Sequence, residues 1–279
     1  MDTQKSSKVF TLNCNGRLFT LDTPKIMGIL NLTPDSFSDG GKFNNETNAL
    51  LQTEKMLSEG ASIIDIGAQS TRLNANFLSA QEEIHRLGSI IRSIKKNFPE
   101  ALISLDTFWG EVVHFGFNEG IDMVNDISAG QFDPTLLPIV AQTKLPYILM
   151  HGNPSYQQMH DKIHYEDITY SVNQFLLNKS QELLKLGIKD IIFDPGFGFG
   201  KTIENQYQLI DEIQHLGFGE FPILIGISRK SFIYKPLGKS PLDINEETQQ
   251  LHRKVLEQGA KILRVHDVAS TNLALMVDS

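Results

Sequence analysis

Short apolar runs punctuate this chain, and each stops abruptly at a polar residue or a glycine. They cover Lys25–Leu30, Ser62–Ile66, Leu102–Leu105, Asp122–Val124, Tyr147–Met150, Asp190–Phe193, Ile223–Ile227 and Lys261–Val265. Brief apolar runs bounded by turn-forming residues are the pattern of strands buried on both faces. Between them, Asn48–Glu59, Ala80–Asn97, Tyr165–Leu186 and Glu246–Gln258 carry helical spacing. Gly60 and Gly187 close two of these segments and Gly259 follows the last, as expected just past a helix C-terminus. Strand and helix therefore alternate, which predicts parallel strands joined by helical crossovers. The expected fold is a closed (β/α)8 TIM barrel, with an open doubly wound sheet as the alternative arrangement. Ahead of it, Val9–Leu21 alternates around Asn15-Gly16, a pair suited to a tight hairpin turn. Residues 1–24 are thus read as a tail and a β-hairpin closing one end of the core, and 25–279 as the barrel.

The first run opens into the stretch around which the others are arranged. Met27–Gly41 reads M-G-I-L-N-L-T-P-D-S-F-S-D-G-G, an apolar strand that gives way at Asn31 to a polar loop broken by Pro34. At 279 residues the chain suits one barrel of ~250 residues with an added N-terminal piece. No Pro/Gly/Ser-rich linker divides it. Asp and Glu outnumber Lys and Arg, 33 to 25, which argues against a nucleic-acid partner. Its one cysteine, Cys14, cannot form an internal disulfide. With no apolar run of membrane-span length and no secretion-signal pattern at Met1–Lys8, a soluble cytoplasmic protein is expected.

In a barrel the C-terminal ends of all strands share one mouth, so the residues that follow the apolar runs meet there. They are Asn31; Gly67 with Ser70-Thr71-Arg72; Asp106; Asn125-Asp126; His151; Asp194; Ser228-Arg229-Lys230; and Arg264 with His266. Arg72, Lys201, Arg229, Lys230, Arg264 and His266 concentrate positive charge in an acidic chain, which points to an anion such as phosphate. The glycine-rich Asp194–Thr202 loop and the helix expected to open at Ser231 support the same reading. Asn31 and Asp35 add oxygen donors of the kind Mg²⁺ accepts beside phosphate. Asp106, Asn125, Asp126 and Asp194 can accept from the N–H edge of a flat heterocycle, which Arg264 or Met150 can cover. Any one such Asp or Asn is as readily a helix cap or turn former, the reading given to Asp126. His85, His114, His160, His164, His215 and His252 lack metal-ligand spacing and are expected at the surface or in caps.

Taken in order, N31-L-T-P-D-S-F-S-D-G-G41, D65-I-G-A-Q-S-T-R72, S104-L-D-T107, N125-D-I-S128, L149-M-H151, D194-P-G-F-G-F-G-K-T202, S228-R-K-S-F232 and R264-V-H-D267 closely resemble the signature segments of dihydropteroate synthases. The resemblance implies a homodimeric transferase of folate synthesis, the target of sulfonamides. It would join 4-aminobenzoate to 6-hydroxymethyl-7,8-dihydropterin diphosphate and release diphosphate, with Mg²⁺. By position, Asp106, Asn125, Met150, Asp194, Lys230 and Arg264 would hold the pterin. Asn31, Arg72, Arg264 and His266 would hold diphosphate, Asn31 also touching the metal. Thr71, Phe199 and Ser231 would border the aminobenzoate, and Asp35, Asp106 and Lys230 would serve catalysis. The chain departs from the family pattern at Gln69, where Glu is usual, at Leu73-Asn74 in place of Pro-Gly, at Trp109 in place of Lys, and at His151-Gly152-Asn153. A pterin-dependent methyltransferase would share the Asp and Asn contacts without needing the Ser228–Ser231 and Arg264/His266 phosphate set. A noncatalytic pterin binder would not need the Asn31–Gly41 motif.

Overall fold

The computed structural model describes residues 8–32, 42–69, 78–153, 158–159 and 161–276, with the side chains of 42–45 outside that description. Strands β1 (Phe10–Cys14) and β2 (Arg17–Leu21) form the expected hairpin, turning through Asn15 and Gly16 at φ +52° and +85°. The parallel strands are β3 (Lys25–Asn31), β4 (Ile63–Gly67), β5 (Leu102–Asp106), β6 (Met123–Asp126), β7 (Tyr147–Met150), β8 (Ile191–Asp194), β9 (Leu224–Ile225) and β10 (Ile262–Val265). They pair in the order β8-β7-β6-β5-β4-β3-β10-β9. A parallel bridge between Phe193 and Ile223 joins the two ends of that order, so the sheet is a closed barrel. The doubly wound alternative is thereby excluded.

Ten α-helices among the described residues cover the outside: α1 (Lys42–Ser58), α2 (Ala80–Leu87), α3 (Ile90–Asn97), α4 (Gly110–Glu119), α5 (Leu136–Thr143), α6 (Ile168–Leu186), α7 (Ile203–Asp211), α8 (Ser231–Tyr234), α9 (Asn245–Glu257) and α10 (Val268–Met276). The segment expected as one helix over Ala80–Asn97 is split, because Gly88 takes φ +50° and the chain restarts at Ser89. Gly187 ends α6 in the left-handed conformation at φ +92°, as its position predicted. None of the described helices is long and apolar enough to cross a membrane.

Strand periodicity sorts the interior into layers. Met27, Ile63, Leu102, Met123, Ile148, Ile192, Leu224 and Ile262, one from each barrel strand, form an apolar floor with Leu12, Cys14 and Leu21 of the hairpin. Complete burial of a side chain such as Leu21 contributes about 1.5–3 kcal/mol, so the hairpin is a plug held by its own apolar face. Two residues further along, the same inward face carries Asp65, Ser104, Asn125, Met150, Asp194 and Arg264. Intervening residues such as Ile64, Leu105, Val124 and Leu149 point outward into the larger core beneath the helices. A polar layer thus rests on an apolar floor and faces the mouth.

Candidate active site

The centre of the mouth is an ion-pair cluster contributed by four strands. Arg264 donates from Nε to Asp65 Oδ2 at 2.6 Å and from Nη2 to Asp106 Oδ2 at 2.7 Å. Asn125 Nδ2 donates to the same Asp65 oxygen at 3.1 Å. Burial works against the charge on Arg264, but Asp65 and Asp106 outweigh it and hold the guanidinium ionised. Burial likewise pushes the Asp106 carboxyl above its ordinary range, opposed by the Arg264 cation. The guanidinium plane is therefore fixed by two carboxylates before any substrate arrives.

Asp194 ends β8, where its Oδ1 accepts from the Gly196 N–H at 2.7 Å. Burial raises its pKa, and that hydrogen bond with the nearby Lys230 and Arg264 cations pulls it back. The Lys230 ammonium lies 4.7 Å from the centre of the Phe199 ring, within cation–π range. Burial and the Arg264 charge lower its pKa to about 8 in spite of Asp194 and Asp106. Lys230 is placed by the backbone of Arg229, a non-glycine residue at φ +59°, and begins the single turn α8 whose first residue is Ser231. In the same loop, Ser228 Oγ lies 3.1 Å from His266 Nδ1, past the neighbouring strand β10, and accepts from the His266 backbone N–H at 3.2 Å. Asn31, half-buried at the end of β3, is in register with Gly67, and Gly67 with Asp106. Met150 pairs in register with Asp194 and shares an apolar cluster with Phe108, Ile127, Met159 and Phe199.

A family model described as pterin binding enzyme matches residues 27–266. A dihydropteroate synthase of Haemophilus influenzae is 42% identical over 271 residues, covering 95% of this chain and 97% of its own. The chain belongs to the dihydropteroate synthase family. Among solved dihydropteroate synthases, a Xanthomonas albilineans structure with 4-aminobenzoic acid matches with a TM-score of 0.88 at 36% identity, covering 96% of each chain. Another from that organism, in complex with 7,8-dihydropteroate, matches with a TM-score of 0.85 at 34% identity over 96% of this chain and 97% of its own.

On this dihydropteroate synthase barrel, Asn31, Asp106, Asn125, Met150, Asp194, Phe199, Lys230, Ser231, Arg264 and His266 all stand at the one mouth. Asp35, Thr71 and Arg72 lie outside the described residues. Lys201, expected among the anion-facing cations, is instead buried and donates to the carbonyls of Gly196, Phe199 and His151. It clamps the glycine loop from within. His151 faces away from the lumen, against Tyr165 and Phe175, and burial depresses its pKa well below the ordinary value. Asp126 also faces outward, accepting from the Ser128 and Gly130 N–H groups and from Tyr147 Oη, which bears out its reading as a turn former. His252, expected at the surface or in a cap, is instead buried within α9 with Nδ1 3.1 Å from Gln249 Oε1. The strand-end reading passes over Asp65, although a lone carboxylate inside the apolar run I-I-D-I was a visible signal.

Proposed function

We propose that this chain condenses 6-hydroxymethyl-7,8-dihydropterin diphosphate with 4-aminobenzoate, giving 7,8-dihydropteroate and diphosphate, and that the residues at the barrel mouth divide that work. The observation that carries the assignment is the layer of Asp65, Asn125, Asp106 and Arg264, bonded together over a sealed apolar floor. Asn125, Asp106 and Asp194 offer acceptors to the N–H edge of the pterin, with Met150 and the Arg264 plane beside the ring. Lys230 donates to the ring from a site where little water competes. The set at Ser228, Arg264 and His266, with Arg72, receives the diphosphate.

The donor set fits Mg²⁺ carried by the substrate. Asn31 offers a carboxamide oxygen at the mouth, and the described residues include no cluster of three or more His, Cys, Asp or Glu able to cage an ion. Bound there, such an ion would supply charge stabilisation to the departing diphosphate. The reaction proceeds by early scission of the C–O bond, whose electron pair leaves with diphosphate while the electron-rich dihydropterin delocalises the positive charge. The arylamine lone pair then forms the C–N bond, and the nitrogen gives up a proton. Asp106 and Asp35 stabilise the developing cation, an electrostatic role that needs preorganised charge and no covalent nucleophile. Thr71, Phe199 and Ser231 border the aminobenzoate. A homodimer through the late helices is part of the same reading, supported by the exposed Leu273 of α10, and light scattering on the purified protein tests it.

Diphosphate release with both substrates tests the function and separates it from methyl transfer or pterin binding alone. Asp106→Ala and Lys230→Ala should each reduce turnover by at least ~10³-fold, since each removes a preorganised charge. Near-wild-type formation of dihydropteroate by either purified variant removes that residue from the chemistry.

A further inference from the structure

Lys201 is buried, and the three N–H donors of its ammonium meet three backbone carbonyls: Gly196 at 2.8 Å, Phe199 at 3.2 Å and His151 at 3.3 Å. Each of these residues adjoins a group of the mouth. The Gly196 N–H donates to Asp194 Oδ1 at 2.7 Å, the Phe199 ring lies 4.7 Å from the Lys230 ammonium, and His151 follows Met150 at the end of β7. One ammonium therefore holds, from behind, the backbone beside an acidic acceptor, the seat of a cationic donor and an apolar wall. The far side of the loop is tied separately, by Gln206 of α7, whose Oε1 accepts from the Gly198 N–H at 2.8 Å and whose Nε2 donates to the Lys201 carbonyl at 3.5 Å.

The charge of Lys201 matters as well as its hydrogen bonds. Lys201, Lys230 and Arg264 are the cations around Asp194, and each draws its pKa down against burial. Asp106 acts on Lys230 from its other side, and His151 is kept neutral by burial and by the Lys201 cation. Burial and Lys230 lower the pKa of Lys201 to about 7 in spite of Asp194, which leaves the ammonium charged over the acid range in which a carboxylate titrates. No carboxylate is hydrogen-bonded to it among the described residues, so three carbonyl dipoles compensate a buried charge.

We propose that Lys201 is a positioning residue for the pterin half of the condensation: by bonding the carbonyls of Gly196, Phe199 and His151 from behind, it sets Asp194 and the Phe199 seat of Lys230 where the pterin meets them. The inference rests on the reading of function above. Lys201→Met, close in volume but without donors or charge, should weaken binding of 6-hydroxymethylpterin, measured by calorimetry, by roughly tenfold or more. Across pH, binding to the wild type should fall on the acid side as Asp194 takes up a proton. In Lys201→Met that limb should lie about one pH unit higher, because a cation that favours the carboxylate is gone. Lys201→Gln keeps N–H donors without the charge, so it should lose less affinity and show the same displaced limb, and it carries the test if Lys201→Met fails to fold. In Lys201→Ala, propylammonium chloride should restore part of the lost affinity, whereas tetramethylammonium chloride, a cation with no N–H, should not. Asn173→Ala is the comparison for a general loss of structure, since Asn173 ties the turn at Ile213–Gly219 through the His215 carbonyl and the Gly217 N–H. It should lower the melting temperature and leave pterin affinity within about twofold of wild type.

Pterin affinity within about twofold of wild type in both Lys201→Met and Lys201→Gln would overturn the proposal. So would an acid limb that does not move, or propylammonium restoring no more than tetramethylammonium does. A wild-type protein that binds the pterin yet releases no diphosphate would instead overturn the reading of function, while pterin binding by the variants still decides the role of Lys201.

Discussion

At the scale of single residues, titration is governed by how deeply each group sits relative to its partners. Lys230 has its pKa lowered to about 8, so it is a charged donor below that pH and loses its proton above it. The kcat/KM profile for the pterin substrate should fall as pH rises through about 8, and Lys230→Arg should carry that limb out of the accessible range at reduced activity. A profile flat to pH 9.5, a bound of about one and a half units above the titration, would show that Lys230 does not act through its charge. Glu83 tests the same physics away from the chemistry. Its carboxyl is fully buried in α2, beside Thr107 and Asp106, and burial raises its pKa from 4.5 to about 8. The native state therefore retains a proton that the unfolded chain gives up above about pH 4.5, and stability declines as pH climbs from there to about 8. Glu83→Gln should remove that decline, so that urea unfolding at pH 8 favours the variant by on the order of a few kcal/mol while the two proteins agree at pH 4. Parallel curves across the range would contradict a buried neutral carboxyl.

At the scale of elements, the loop after β8 shows how a catalytic-looking sequence can be mostly scaffold. Gly196 sits at φ +71°, and a Cβ there would stand 1.9 Å from the His151 carbonyl oxygen. Gly198 at φ +86° leaves room for the stem of Lys230, whose Cδ would lie 3.1 Å from an added Cβ. Gly196→Ala should thus displace the loop, destabilise the fold by roughly 2 kcal/mol or more and cut kcat/KM by at least ~100-fold, because Asp194 and Lys230 are both aligned by it. Thermal melts and steady-state kinetics on the same preparation check both effects. The cations of this loop and the next looked equivalent in the sequence, yet Lys201 is consumed by carbonyls while Lys230 reaches the lumen. Spacing alone could not separate them, because the distinction depends on how the glycines fold the backbone. Strand parity was legible: counting in twos from the floor residues sends Asn125, Met150 and Asp194 inward and Asp126 and His151 outward. The helix break at Gly88–Ser89 was visible as well, but helical spacing on both sides masked it.

At the scale of the whole molecule, the eight apolar runs carried the barrel, its direction and its mouth, because buried strands leave a dense signal whatever surrounds them. Closure was not legible to the same degree. The run at Ile223–Ile227 forms a regular ladder only over Leu224–Ile225, and one bridge from Phe193 to Ile223 completes the ring. Nor did the sequence tell which carboxylates would share one guanidinium, since Asp65, Asp106 and Arg264 are far apart in the chain and meet only when the ring closes. The opposite end holds Cys14 within the floor, with no measurable exposure and a thiol pushed up to about 12, first by burial and then by Asp122. It is the chain's sole thiol, so an aromatic disulfide reagent has one target and must wait for the base to open. Its labelling rate is then a stopwatch on that opening. Saturating pterin, bound at the far rim, should slow the stopwatch by the factor that mass action assigns to a ligand of the intact barrel, if floor and rim part together. An unchanged rate would mean that the hairpin leaves on its own, and that this small plug breathes independently of the ring it seals.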